Sequence, residues 1–434
     1  MSHRQPLLLL LAVLLAVPAF GFLAPAGDEG FKPAEYEGLG KAFATYFGAR
    51  NDNKGIDKAQ EELVKEVDKV GKRMKREPLS LPGEMGKSLW ASNAYDKQQK
   101  IKRGKVDVVD IPAYYDAKAK FAYAVWTPVK YNAKQAYPVI LCIPEKGETP
   151  QAHLTEKWVD ASIRENAILV AVPMPDDAAA WLEASPPSKQ SGAGNMLMVL
   201  REVRRMYALD FDRLYIAGRG VGVEAALTYA ARFPDRFAGV IGRSGDVGEV
   251  TAENLRNLPI FLAGAGAKAT ALEEKLKKLA YENILQRKDD AQEADVWAWI
   301  QAHPRISYPT EVVLYPGTPE PKLIAWLEAV PNDAQGSVYI KGKIDRATNT
   351  ITIEGEGVTK FNIYFNDVLI DMDKPVKVVA NGAEVSRTVK RSLPRLLDFV
   401  YSARSDPGRM FTNVMAFDLP AKPKPPPGKA GEPK

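Results

Sequence analysis

A chain of 434 residues has room for two or three domains at roughly 100 to 200 residues each. Its 46% hydrophobic and 26% charged residues are those of a globular protein, which excludes bulk disorder and a membrane bundle. The net charge of +5, from 59 basic and 54 acidic side chains spread along the chain, points to no polyanionic partner, and no nucleic-acid-binding motif accompanies it.

The chain opens "MSHRQPLLLLLAVLLAVPAFGFLAPAGDEG": a basic start at His3 and Arg4, an apolar run from Pro6 to Phe22, and an A-x-A pattern at Ala24-Pro25-Ala26. That layout predicts a signal peptide over residues 1–26, export to the periplasm or outside, and no membrane span once it is cleaved. Residues 27–103 read as helical. In "KGIDKAQEELVKEVDKVGKRMKR" the apolar Ile56, Leu63, Val64, Val67 and Val70 recur at helical spacing, and "PGEMGKSLWASNAYD" reads as a further short helix. The basic run at residues 69–78 is the solvated face of the first of these.

From residue 104 the period changes. Three β-rich runs end in the continuously apolar "YPVILCIP", as a strand buried on both faces requires. It holds the only cysteine, Cys142, which excludes an internal disulfide and reads as a small buried hydrophobe. Then come helix "HLTEKWVDASIREN", strand "AILVAVPMP", a helix with Met196, Met198, Val199, Val203 and Met206 facing inward, strand "RLYIAG", helix "GVEAALTYAARFP", strands "FAGVIGRSG" and "LPIFLAGAG", helix "ALEEKLKKLAYEN", strand "NILQR" and helix "ADVWAWIQAH". Such alternation predicts an α/β domain over 104–306 with a mostly parallel sheet flanked by helices. Residues 307–419 alternate strictly, with turn signals at Gly355-Glu356-Gly357 and Asn381-Gly382, and predict an antiparallel β domain with a helix at "LPRLLDFVYSAR". The Pro- and Lys-rich residues 420–434 build no core and read as a disordered tail.

One junction carries chemistry. "LYIAGRGVGVEAAL" has the layout of a nucleophile turn: an apolar strand, a glycine-rich corner and an alanine-rich helix. A Rossmann reading fails because its third glycine falls on Val223. The stretch "AGRGVGVEAALTYAARFPDRFAGVIGRSGD" resembles the α/β-hydrolase superfamily, in particular its exported esterase, dienelactone-hydrolase and polyhydroxybutyrate-depolymerase-like branch, over roughly residues 105–305. The segments "LIDMDKPVKVVANG" and "RSDPGRMF" resemble an accessory β domain that some such proteins carry.

The resemblance implies a serine hydrolase fold, and it implies that the nucleophile position is Gly220. It places the triad acid at "FLAGAGAKAT", where Ala265, Gly266, Ala267, Lys268 and Ala269 offer no carboxylate, and the triad histidine in "NILQRKDDAQEAD", where Asp289 and Asp290 stand instead. His3 lies in the leader, His153 follows the third β run, and His303 ends a helix. Three readings stay open. The first is a pseudoenzyme of the carboxylesterase-like class, without cofactor or metal, that binds a small molecule or envelope protein through Gly218, Arg219, Gly220, Val221, Gly222, Arg243, Ser244 and Asp246. The second is a hydrolase with a relocated or rearranged site, using Ser244 or the carboxylates Asp246, Asp289 and Asp290; Ser191 reads as a helix cap. The third is a cell-envelope scaffold engaging a partner through its β domain and tail.

Overall fold

The computed structural model describes residues 30–93, 101–183, 189–264, 268–281, 284–317, 321–331, 338–403 and 406–422. The leader, residues 265–267 and the tail beyond residue 422 lie outside these. Among the described residues no helix is long and apolar enough to cross a membrane.

The chain begins with three helices, α1 (Pro33–Asn51), α2 (Ile56–Met74) and α3 (Pro82–Trp90). On α2 the buried stripe is Ala59, Leu63, Val67 and Val70. Val64, expected to face inward, is 38% exposed: it lies one residue off the stripe, at its solvent margin.

Next follow β1 (Val106–Pro112), β2 (Lys120–Trp126), β3 (Tyr137–Ile143), α4 (Pro150–Lys157), α5 (Ala161–Arg164), β4 (Ile168–Ala171), α6 (Ala179–Leu182), α7 (Gly192–Met206), β5 (Leu209–Arg219), α8 (Gly222–Arg232), β6 (Gly239–Arg243), β7 (Ile260–Ala263), α9 (Lys268–Lys278), β8 (Leu285–Arg287) and α10 (Glu293–Ala302). The strands form one eight-stranded sheet in the order β1-β2-β4-β3-β5-β6-β7-β8, antiparallel at the β1–β2 and β2–β4 edge and parallel from β4 to β8. This is an α/β-hydrolase-like sheet.

Successive strand side chains point to opposite faces. Val139, Leu141, Leu214 and Ile216 meet α7, α8 and α9 on one face, while Ile140, Cys142, Tyr215 and Ala217 meet α4, α5 and α10 on the other. Ser191 caps α7, accepting from the Gly194 N–H at 3.0 Å. Along α7, Met196, Val199 and Val203 are buried, whereas Met198 and Met206 are half-buried. The single helix expected over residues 153–166 is two, broken where the Trp158 carbonyl turns to accept from Arg164 Nε at 2.6 Å.

The last part contains β9 (Glu311–Leu314), β10 (Leu323–Ile324), β11 (Leu327–Pro331), β12 (Tyr339–Asp345), β13 (Thr350–Glu356), β14 (Val358–Phe365), β15 (Val376–Ala380), β16 (Ala383–Arg387), α11 (Leu393–Ala403) and β17 (Asn413–Asp418). A four-stranded sheet β10-β11-β14-β17 and a five-stranded sheet β16-β15-β13-β12-β9 enclose a core of Trp326, Ile340, Ile351, Phe361, Ile363 and Phe365. Pairing is antiparallel except between β13 and β15, which run parallel. Both expected turns form: Gly357 joins β13 to β14, and Asn381-Gly382, each at positive φ, joins β15 to β16.

The N-terminal helices pack on one another, and α11 joins the cluster they form. Leu39, Phe43, Leu63 and Val67 share one cluster with Leu396, Leu397 and Val400. The first described helices and α11 thereby share one core, which no local pattern announces.

Candidate functional site

The resemblance placed the reactive residue at the end of β5, and the backbone there has the required shape. Gly220 takes a left-handed φ of +54° between strand and helix, a conformation that is strained for a residue with a Cβ. The flanking glycines are sterically required. A Cβ on Gly218 would stand 2.0 Å from the Gly222 carbonyl oxygen, and one on Gly222 would stand 2.6 Å from that of Ile143. Gly245 approaches as closely from the β6 side, where a Cβ would meet the Gly220 oxygen at 2.0 Å. The Gly220 N–H donates to the Arg243 carbonyl at 3.3 Å, tying the corner to the end of β6.

What stands over Gly220 is a carboxylate. A Cβ on Gly220 would meet Cγ, Cδ and Oε1 of Glu145 at 2.8 Å, so Glu145 fills the space into which a nucleophile would project. Glu145 lies just beyond β3; its own N–H donates to Glu148, and its Oε2 is 3.7 Å from Arg219 Nε. The Arg219 Nε is buried and makes no hydrogen bond among the described residues. The corner therefore holds a cation, a helix start and an internal carboxylate that sits loosely between them, its side chain 53% exposed. Sequence reasoning missed Glu145, because nothing local to residue 145 signals that it crosses over a corner 75 positions later.

The other expected residues separate into two groups. Gly218, Arg219, Gly220, Val221 and Gly222 form the corner itself, with Val221 exposed at its tip. Ser244 is exposed at positive φ (+51°) and its N–H donates to Ala263; its Oγ lies beside Gly264. Asp246 is exposed and accepts from the Lys268 N–H at 3.3 Å, at the start of α9.

Arg243 is placed differently from the expectation that it lines the corner. Its guanidinium donates to the Lys157 carbonyl (2.7 Å), pairs with Glu293 (3.3 Å) and stacks over the Trp158 ring at 4.7 Å, so it fastens α4 and α10 to the sheet. The loops after β7 and β8 meet, with the Asp289 carbonyl close to Gly264, and Asp289 and Asp290 are both exposed. Among the described residues no three His, Cys, Asp or Glu side chains converge as a metal site needs.

Neither described histidine is free to act as a base at Gly220. His153, on α4, is buried. Its Nε2 accepts from the Trp158 indole N–H at 3.2 Å, which leaves the proton on Nδ1 to donate to Glu148 at 2.7 Å. Both ring nitrogens are committed. His303 caps the far end of α10, its Nδ1 at 2.8 Å from the Trp299 carbonyl and its ring stacked on Trp299. The neighbouring Arg305 N–H donates to Asp212, near the start of β5, whereas Gly220 follows the end of that strand. At about 3.3 Å per residue the two ends are on the order of 20 Å apart.

Burial pushes the His153 pKa below its ordinary value; Glu148 opposes this, while Arg243 and Arg219 add to it. A base held neutral in the fold stabilises above its unfolded value of about 6.5 and loses that contribution as pH falls through its folded value. The expected result is a melting temperature that drops between pH 7.5 and pH 5. In His153→Gln, which starts less stable, that drop should be visibly shallower. Parallel curves for the two proteins would show that His153 is not the titrating group.

The cysteine adds nothing to the site. Cys142 is fully buried mid-strand, and burial raises its thiol well above the ordinary value.

No family model matches the chain, and no curated protein matches it. Among solved structures, a thermostable esterase shares 17% identity over 46% of this chain and 60% of its own, with a TM-score of 0.36. A ferulic acid esterase shares 16% over 46% of this chain and 96% of its own, at 0.37. An S-formylglutathione hydrolase from Agrobacterium tumefaciens shares 16% over 48% and 95%, at 0.34. The chain thus spans less than two thirds of the thermostable esterase, and the fold assignment rests on the strand order rather than on these likenesses.

Proposed function

We propose that the chain is an exported α/β-hydrolase-fold protein that performs no ester hydrolysis and holds a ligand at the corner around Gly220. The observation that carries this reading is the Glu145 carboxylate standing over a glycine where the nucleophile would be. The engaged nitrogens of His153 and the distance of His303 support it, since acyl transfer by a serine needs a base within hydrogen-bond reach. The ligand chemistry follows from what Glu145 imitates. A helix start beside Arg219 favours an anion or a polarised carbonyl, and an external carboxylate would displace the loosely held Glu145 side chain.

The test is hydrolysis of p-nitrophenyl acetate and butyrate by the purified chain lacking residues 1–26, beside Gly220→Ser and Ser244→Ala. All three are expected at buffer background. Without base and acid, a serine at position 220 falls about four to six orders of magnitude below an intact triad. Turnover by the wild type that Ser244→Ala abolishes would overturn the reading in favour of a relocated nucleophile. Turnover that survives Ser244→Ala would overturn it in favour of a rearranged site.

A further inference from the structure

A second polar constellation lies away from Gly220, where the α/β sheet meets the following β sheets. Four arginines gather there: Arg204 on α7, Arg236 after α8, Arg305 after α10, and Arg409 in the short turn Pro407–Arg409. Three carboxylates accompany them, and each is already engaged. Asp212 and Asp406 both grip Arg305, at 2.9 and 2.5 Å, and Asp235 pairs with Arg409. Arg204 has no ion pair or hydrogen bond among the described residues. Its Nε is buried without a partner, and its guanidinium rests 5.4 Å from the Phe211 ring centroid.

A cavity of about 280 Å³ opens on this group, its lining made of Arg204, Arg236, Arg409 and Asp406 together with Leu323 and the rings of Tyr364, Phe399 and Phe411. The three rings pack on one another, with centroids 5.2 to 6.3 Å apart and mutual angles of 54° to 86°, Phe411 buried behind the part-exposed Tyr364 and Phe399. Arg204, Arg236 and Arg409 are each part-exposed, so solvent reaches the cavity.

The Arg204 guanidinium, with its Nε buried and unpartnered and the rest of the group facing the cavity, offers an anion there a charge-assisted contact. Burial pushes the Arg204 guanidinium down to about 10; Asp406 opposes this, and Arg236, Arg305 and Arg409 add to it. The side chain therefore stays charged at neutral pH. Inorganic phosphate would meet Arg204 and leave the aromatic wall unused. A ligand with an anionic head and a flat apolar body uses both, and the volume, at the small end for ligand pockets, suits a single ring.

We propose that this pocket binds a small organic monoanion, a carboxylate on a flat apolar body, with Arg204 as its charge partner and the Tyr364, Phe399 and Phe411 rings as its wall. The site is separate from the corner at Gly220, so either can fail without the other.

Calorimetric titration and thermal melting of the chain lacking residues 1–26, with sodium benzoate, acetate or phosphate at constant ionic strength, test it. Benzoate is expected to bind saturably and raise the melting temperature, with acetate weaker by about tenfold or more for want of the ring contact. Arg204→Met should weaken benzoate by about 10- to 100-fold, the range expected for charge-assisted bonds, while melting no lower than wild type in the absence of ligand. Should Arg204→Met fail to fold, Phe399→Ala gives a second reading, losing benzoate relative to acetate. Saturable phosphate binding with no response to benzoate would overturn the carboxylate assignment. Benzoate binding unchanged in Arg204→Met, or no binding by the wild type, would overturn the site.

Discussion

Replacing Arg305 by Met is expected to destabilise the fold by about 3–5 kcal/mol, the range for removing one partner of a buried charged group. Arg305 is 7% exposed, and its guanidinium is fully engaged. Nε and Nη2 hold Asp212 at 3.1 and 2.9 Å, Nη1 and Nη2 hold Asp406 at 3.0 and 2.5 Å, and Nη1 also donates to the Asp235 carbonyl at 3.0 Å. Methionine keeps much of the volume and leaves the Asp406 side chain, 5% exposed, without its direct ion pair. Burial alone would raise the Asp406 pKa; Arg305, Arg204 and Arg409 outweigh it and hold the carboxyl at about 2.

The sign of the pH dependence follows. A carboxyl depressed in the fold stabilises above its unfolded value of about 3.9 and loses that contribution as pH falls through about 2. Without Arg305 burial dominates, and the carboxyl takes up a proton at higher pH than in wild type. The gap between variant and wild type should therefore be widest at pH 7 and narrow toward pH 4. Urea denaturation at the two pH values measures it, and adding Asp406→Asn to Arg305→Met should recover part of the loss by removing the charge left without its ion pair. A gap below about 1 kcal/mol at pH 7 would mean that water reaches the cluster and that it contributes little.

The residues that make this junction show where sequence reading succeeds and stops. The sheet was legible because each buried parallel strand is a continuous apolar run followed by a helical stripe, a pattern imposed by burial on both faces. Register and direction were less so. β13 and β15 alternate as antiparallel strands do, yet pair in parallel, since alternation reports which face is buried and not which way the neighbour runs. The stripe on α2 announced a buried face without naming what covers it. α1 packs along it, and the cluster they share is completed by α11, over 300 residues later, where Arg50 of α1 pairs with Asp398 at 3.0 Å and Phe47 of α1 meets the Tyr401 ring.

At the corner, the glycine at the position the resemblance assigns to a nucleophile was legible from the sequence. The carboxylate over it was not, because Glu145 arrives from another strand. Arg243 was rightly placed near the end of β6, but its direction was set by Trp158 and Glu293, which sequence spacing does not bring to it. Arg204 gave no signal at all: on α7 it reads as a solvated charge, and only the fold closes the pocket around it.

The corner also allows a comparison in which two neighbouring glycines should respond very differently. Gly218→Ala is expected to cost about 3 kcal/mol or more, at the top of the range for overpacking a core. Its Cβ would stand 2.0, 2.3 and 2.6 Å from the Gly222 oxygen, the Gly222 carbonyl carbon and the Val223 nitrogen, all backbone atoms in the first turn of α8. Relief requires lifting that turn off β5, and the turn is anchored by the fully buried Ala225 and Ala226 and by Val223. The clash cannot be absorbed by a side chain.

Gly220→Ala faces contacts that are nominally short as well, at 2.8 Å, but these are to Glu145, a half-exposed side chain that can swing into water. What remains is the left-handed φ of +54°, worth about 1–2 kcal/mol for a residue with a Cβ, and the loss of a weak exposed contact to Arg219. Denaturation midpoints of the two variants against wild type measure the difference. Equal costs would mean that the turn relaxes freely. A larger cost at Gly220 would mean that the Glu145 carboxylate is held far more firmly than its exposure implies, and a ligand would then have to displace an anchored group rather than a loose one.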